Sequence, residues 1–293
     1  MGNDAALKCK ERVPAGNTST GILKLIALLF MICDHFGARL FPSVPEFRML
    51  GRIAFPIYCW CMIVGFHYTR SVPKYLFRIL LVGLLVQPLY SIAMVHGWNS
   101  PDLSLVGQQI SDLWAKKTDI LQFNGALMNI ICAKPNVFLT LFLGLCALWG
   151  IRSKKWLSQI WAPAFMLIGA TWLNVDYGWK GILLIILLYA VQDSRPGIAA
   201  VMVAFFMYWG TFYGVTSSLF GMKINLSVLP QPVSVLINPF LRLETYGLLS
   251  LPFILIRFKN RWKMPAWLGY SLYPAHLIIL LILEQFVQSS RRG

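Results

Sequence analysis

Residues Gly21 to Phe41 read GILKLIALLFMICDHFGARLF. This is an apolar run of the length, roughly 20 residues, that a helix needs to cross about 30 Å of hydrocarbon. Within it sit Lys24, Asp34 and His35. An ionisable side chain at mid-bilayer costs about 2.5 to 3.5 kcal/mol on insertion scales, so each of the three is a functional candidate. At 100° per residue, Lys24, Leu28, Met31 and His35 fall on one stripe with Asp34 beside it, and His35 lies about 16 Å along the axis from Lys24.

Further apolar runs follow along the rest of the chain, and the composition agrees with them. Of 293 residues, 57% are hydrophobic and 13% charged, with a mean hydropathy of +0.64. One water-soluble core cannot hide that much apolar surface. The runs do not alternate in polarity, which argues against a closed β-barrel. The expected fold class is all-α, a polytopic integral membrane bundle of about nine transmembrane helices. They are expected near residues 21–41, 52–69, 74–96, 136–151, 156–173, 178–193, 197–219, 239–258 and 266–288. The stretch 97–135, with an amphipathic segment around Ile110 to Met128, and the Pro-rich stretch 223–238 could each hold an interfacial or re-entrant piece. No fixed-period repeat is visible, so solenoids are excluded.

Residues 1–20 read as a polar segment on the cytoplasmic side, 21–288 as a single membrane domain and 289–293 as a tail. The first apolar run lacks a small-residue cleavage site after it, so no signal peptide is expected and the first helix is retained. Ala6 stands where a myristoylation signal wants Ser or Thr. The net charge of +15 would suggest nucleic acid in a soluble protein. Here most cations sit in short loops between apolar runs, a pattern of membrane topology, and no segment is long enough for a separate basic domain. The cations divide almost evenly between the two sides, favouring an N-inside, C-outside arrangement by a narrow margin. The six cysteines, Cys9, Cys33, Cys59, Cys61, Cys132 and Cys146, include no CxxC pair and no His at zinc spacing, so neither a disulfide framework nor a metal is expected.

Adjacent Asp34 and His35 suit general acid-base work, since imidazole titrates near neutral pH and a carboxylate stabilises its protonated form. Neighbours diverge on a helix, however, and Asp34 could pair instead with a cation on another helix such as Arg52. Arg52 opens the second helix in Gly51-Arg52-Ile53-Ala54-Phe55-Pro56, where it could equally reach the interface or an anionic ligand. Arg70, Lys74 and Arg78 repeat at i, i+4 and i+8, a basic stripe in which Arg78 lies deepest. In the last helix Tyr273 and His276 stand three apart on one face. Before the sixth helix, Asn174, Asp176, Tyr177 and Gly178 form a polar turn whose Asp176 could cap the helix.

These segments resemble the TraX family, which includes the enzyme that acetylates the N-terminus of conjugative F-pilin. The likeness is carried by Lys24 through Asp34-His35, by Gly51 to Pro56, by Asn136 to Gly144, by Asp176-Tyr177-Gly178 with Gly181, and by Tyr273 to Leu277. The resemblance implies a multi-pass inner-membrane acetyltransferase that uses acetyl-CoA as co-substrate, with the bilayer and an amine or hydroxyl acceptor as its other partners. The longer segment before the fourth helix and the Pro-rich 223–238 stretch depart from a compact member and leave the acceptor open.

Acyl transfer needs a deprotonated nucleophile, a polarised thioester carbonyl and a held carrier. On this reading His35 is the general base, Asp34 orients it or raises its pKa, and Tyr273 and His276 are candidate donors to the developing oxyanion. Arg78 with Lys74 and Lys24 meets CoA phosphates, with Arg52 and Asn136 as further binding candidates and Asp176 and Tyr177 as other site candidates. No Ser or Cys has a nucleophile's setting, so transfer is expected to be direct, with an acetyl-His intermediate as the variant. The competing classes are a membrane O-acyltransferase acting on a glycan, lipid or small molecule, a transporter or channel with an ionisable pathway, and a non-enzymatic assembly factor.

Overall fold

The first apolar run folds as α1, Thr20–Arg39. The computed structural model describes residues 13–97, 134–153, 155–216, 230–258 and 264–292, together with Trp262 and scattered residues within 104–115 and 218–223. The amphipathic segment expected around Ile110 to Met128 falls almost wholly outside the described residues, as do Met1-Gly2, Cys9 and Cys132.

After α1 the chain turns into α2, Pro45–Gly51, and bends at Arg52-Ile53 into α3, Ala54–Tyr68. The second span therefore starts at Pro45 rather than at residue 52, because Pro45 sits in the first turn of α2, where its missing N–H costs nothing. The close fit of α2 on α1 depends on two glycines: a Cβ at Gly37 would overlap Phe47, and one at Gly51 would overlap the Asp34 side chain. The third run is α4, Val72–Tyr90, which continues past Pro88 as a wider π-helical turn, Ser91–His96. Proline cannot donate to the ladder, and the ring crowds the preceding turn, so the hydrogen-bond register changes there.

Four helices follow: α5 (Val137–Arg152), α6 (Trp156–Trp172), α7 (Gly178–Ala190) and α8 (Arg195–Gly210). Asn136 starts α5 by accepting from the Phe138 N–H. Helix α8 is nine residues shorter at its end than the expected 197–219. The Arg242 guanidinium donates to the carbonyls of Gly210, Thr211 and Tyr213, so the orphan carbonyls that a continued helix would have bonded are met from outside. Beyond it, β1 (Ser218–Leu219) and β2 (Met222–Lys223) form a two-residue antiparallel ladder.

The expected eighth helix, 239–258, is also corrected. After α9 (Gln231–Ile237), 3-10 turns at Asn238–Leu241 and Leu243–Ser250 lead into the short α10, Leu251–Leu255. Pro239 and Pro252 interrupt the donor ladder. Gly247 lets this segment lie against the Phe206 ring of α8, where a Cβ would not fit. The last helix, α11, runs Ala266–Arg292.

Among the described residues, four helical stretches are long and apolar enough to cross a bilayer: Thr20–Arg39, Pro45–Tyr68, Val72–His96 and Trp267–Val287. Val137–Arg152, Gly178–Ala190 and Leu243–Leu255 are apolar but shorter. At 1.5 Å per residue a 16-residue helix reaches only about 24 Å. The expectation of nine crossings is thus met in class, an all-helical membrane bundle, and by length at four helices. Outward-facing apolar residues agree with that class. On α6, Trp156, Ile160, Trp161, Phe165, Ile168 and Trp172 are all exposed, a stripe that lipid would cover and water would not tolerate. The main core packs around α3, whose Trp60 donates to the Asn17 carbonyl and so pins the segment before α1.

Candidate active site

Helices α1, α3 and α4 each pass two cavities, one at either end. The first, about 560 Å³, is lined from α1 by Met31, Asp34, His35 and Ala38, from α3 by Ala54, Phe55 and Tyr58, and from α4 and its extension by Tyr90 and Met94. The second, about 360 Å³, takes Lys24, Leu28 and Met31 from α1, Tyr58, Cys61, Met62 and Gly65 from α3, and Tyr75, Arg78 and Ile79 from α4. Met31, Tyr58, Val137 and Tyr273 belong to both walls.

Asp34 does not orient His35. Its two carboxylate oxygens are taken by Arg52 at 2.7 Å and Arg48 at 2.9 Å, and Arg52 continues the chain to Glu244 at 2.9 Å. The Arg52 and Glu244 side chains are only 9% and 4% exposed. The reason is the helix itself: side chains one position apart point about 100° apart, and the bend after α2 swings Arg48 and Arg52 over the Asp34 side. Arg52, expected as a ligand for an anion, is thereby used inside the protein.

His35 instead meets His276 of α11, Nδ1 to Nε2, at 2.8 Å, the two rings stacked with centroids 5.0 Å apart. The other nitrogen of His276, Nδ1, lies 3.3 Å from the Leu272 carbonyl. A carbonyl only accepts, so the network assigns the His276 proton to Nδ1 and makes its Nε2 an acceptor. His35 must then donate from Nδ1, which leaves its Nε2 as a bare lone pair. Among the described residues no hydrogen bond reaches His35 Nε2, and His35 lines the first cavity. The pair is two hydrogen-bonded imidazoles with the Nε2 lone pair of His35 left free of a partner among the described residues.

Tyr273 stands edge-on to His276, ring centroids 5.2 Å apart, and edge-on to Phe138 at 4.8 Å. Tyr177 stacks face to face on Phe55 at 3.6 Å. Burial pushes the Tyr177 phenol well above its ordinary range, so it keeps its proton at neutral pH. Asp176 pairs with Lys134 at 2.8 Å and makes no cap on α7. The turn before α7 holds Asn174 and Gly178 at positive φ, 48° and 55°, which brings Asp176 and Tyr177 to the cavity wall.

Of the expected binding residues, Asn136 is spent on structure: its Nδ2 donates to the Gly83 carbonyl while its Oδ1 caps α5. Lys24 and Arg78 line the second cavity, and Lys74 lies with Arg78 on an open groove next to it. The residues missed in sequence are Glu244 and Arg48. Glu244 sits in LETYGLLSLPFIL, a carboxylate in an apolar run, so the rule that singled out Asp34 applied to it equally.

The fold and the site define a class: a helical membrane protein with a hydrogen-bonded histidine pair buried where several helices converge. The model of the family described as TraX protein matches residues 19–110 and 120–284, and the chain belongs to the TraX family. It is 25% identical over 273 residues, 91% of this chain and 96% of the relative, to a protein of Dichelobacter nodosus named "Probable fimbrial assembly protein FimC, serogroup H1". It is also 35% identical over 66 residues, 22% of this chain and 25% of the relative, to an uncharacterized protein of Rickettsia prowazekii (strain Madrid E). No solved structure matches.

Proposed function

We propose that the chain is an integral membrane acetyltransferase that moves an acetyl group from acetyl-CoA to an amine, such as the N-terminus of a pilin-like subunit. The observation that carries this reading is the bare Nε2 of His35, set by the His276 relay and facing a cavity. Family membership and the fimbrial assembly name of the Dichelobacter nodosus relative favour a subunit of a surface fibre as acceptor.

In this mechanism a neutral amine attacks the thioester carbonyl carbon while His35 Nε2 takes the amine proton. The tetrahedral oxyanion is met by the hydroxyl of Tyr273. The C–S bond then breaks, the thiolate leaves, and the imidazolium returns its proton to the sulfur. His276 serves as a positioning residue, which corrects its expected part as a direct donor: its Nε2 is already engaged by His35. The acceptor could also be a glycan hydroxyl, a reading supported by the aromatic lining of Phe55, Tyr177, Trp209 and Tyr213.

The test is purified full-length protein incubated with labelled acetyl-CoA and either a peptide with a free N-terminus or an oligosaccharide. Label on the peptide amine is the expected result. His35→Ala and His35→Gln should each lose transfer by about 10² to 10⁴, the usual cost of a missing general base. Full activity in either variant would remove the mechanism, and label on the sugar alone would replace the acceptor.

A further inference from the structure

We infer that the second cavity and the basic groove beside it hold the phosphorylated carrier of the acyl group, so that donor and acceptor reach the histidine pair from opposite ends of the bundle. The inference rests on the acyltransfer reading above and adds a binding site and a direction to it.

The two cavities are stacked along the helices. On α1 the second cavity is entered at Lys24 and the first extends to Ala38, 14 positions or about 21 Å apart along the axis. On α3 the order is reversed, from Ala54 at the first cavity to Tyr68 at the second, as an antiparallel helix requires. Their only common lining is the partition of Met31, Tyr58, Val137 and Tyr273, and His35 lies one turn beyond Met31.

The two ends differ in chemistry. Around the first cavity three of the four lining cations are matched with carboxylates, Arg48 and Arg52 with Asp34, Arg52 with Glu244 and Lys134 with Asp176, while the fourth, Lys180, lies over the Phe212 ring at 3.3 Å. Around the second, Lys24, Arg70, Lys74 and Arg78 have no carboxylate partner among the described residues. Arg78 lies at the junction, lining both the groove and the cavity, with its guanidinium 5.9 Å from the Tyr75 ring centroid. Inward from Arg78 the wall turns aromatic and aliphatic. Unmatched cations at the mouth of an apolar channel suit a ligand with a phosphorylated head and a long thin arm.

The spacing selects among such ligands. Lys24 and His35 are about 16 Å apart along α1, so a phosphate near Lys24 and a carbonyl at His35 cannot belong to a molecule as short as acetyl phosphate. A nucleotide joined to a thioester arm has the reach. An anionic phospholipid offers the same phosphate and a similar arm, so the experiment must tell the two apart.

Binding of coenzyme A, which carries no acyl group and so cannot turn over, is measured by calorimetry on the full-length chain in phosphatidylcholine nanodiscs. The expected result is that the unsubstituted chain binds coenzyme A. Arg78→Ala should weaken binding by about tenfold or more, with Arg78→Lys recovering part, because an ammonium lacks the guanidinium fork. Lys24→Ala should weaken it by a smaller factor. Unchanged affinity in both Arg78→Ala and Lys24→Ala would overturn the site. Loss of coenzyme A binding when phosphatidylglycerol replaces half the phosphatidylcholine would reassign the groove to lipid headgroups. If instead Arg78-dependent binding persists but His35→Ala retains full transfer, the base is misassigned and the carrier site stands.

Discussion

Asp34 and His35 adjoin in sequence yet face different partners, and that divergence decides how each responds to substitution. Arg52 bridges two buried carboxylates, so Arg52→Ala strands Glu244 and leaves Asp34 with Arg48 alone, whereas Asp34→Asn or Glu244→Gln leaves Arg52 one partner. Breaking a buried pair typically costs about 3 to 5 kcal/mol. We expect Arg52→Ala to lower the thermal midpoint in detergent well below either carboxylate variant; equal shifts would refute the bridging role. The His276 relay has its own signature. A Gln side chain reaches as far as imidazole Nε2 and can accept from His35 Nδ1, so His276→Gln should keep much of the transfer rate that His276→Ala loses. Equal rates in the two variants would show that His276 does not set the His35 tautomer. The ionisable residues in the spans were legible because burying charge is costly, and four of them, Asp34, His35, Arg52 and His276, do converge. Which of them touch was not legible, because pairing depends on the bend between α2 and α3.

At the scale of the element, apolar length located most helices to within a few residues, α1, α3, α5, α6 and α7 among them. It failed where ends are made by distant groups. The termination of α8 depends on Arg242, 32 positions from Gly210, and no local signal announces it. The segment from Asn238 to Leu255 failed for a different reason: hydropathy alone cannot tell a continuous helix from 3-10 turns packed through Gly247 on Phe206. Two glycines elsewhere, Gly51 in α2 and Gly169 in α6, supply a paired prediction. Gly51→Ala pushes a methyl into Asp34 and the α1–α2 contact, and overpacking of that kind costs about 1 to 3 kcal/mol. Gly169 in α6 has open space around its Cβ position, so Gly169→Ala should be neutral or stabilising by up to about 1 kcal/mol. A thermal midpoint that falls more for Gly169→Ala than for Gly51→Ala would contradict this packing.

At the scale of the molecule, the direction of transfer depends on which end of the bundle faces the cytoplasm. A nucleotide-borne acyl donor is made inside the cell, so on the proposed reading the groove of Arg70, Lys74 and Arg78 must face inward. Arg152, Arg195 and Arg257 belong to the same end: Arg152 donates to the Phe66 carbonyl at the foot of α3, and the other two to the Ala15 carbonyl just ahead of α1. Short-loop cations at this end outnumber those at the other by a narrow margin, and an excess of that sign is what the positive-inside rule expects of a cytoplasmic face. The opposite end carries the α1–α2 turn, where Ser43 is exposed. Ser43→Cys should therefore react with a membrane-impermeant maleimide added to intact cells, and Lys74→Cys only after the membrane is opened, each compared with the unsubstituted chain to subtract native thiols. The first cavity, with His35, would then collect an acceptor from the outer half of the bilayer, where a secreted subunit presents its freed N-terminus. Labelling of Lys74→Cys from outside, with Ser43→Cys protected, would invert the bundle and place the matched ion pairs, rather than the unmatched cations, toward the cytoplasm. The carrier could not then enter through the groove, and the direction of transfer would have to be reversed.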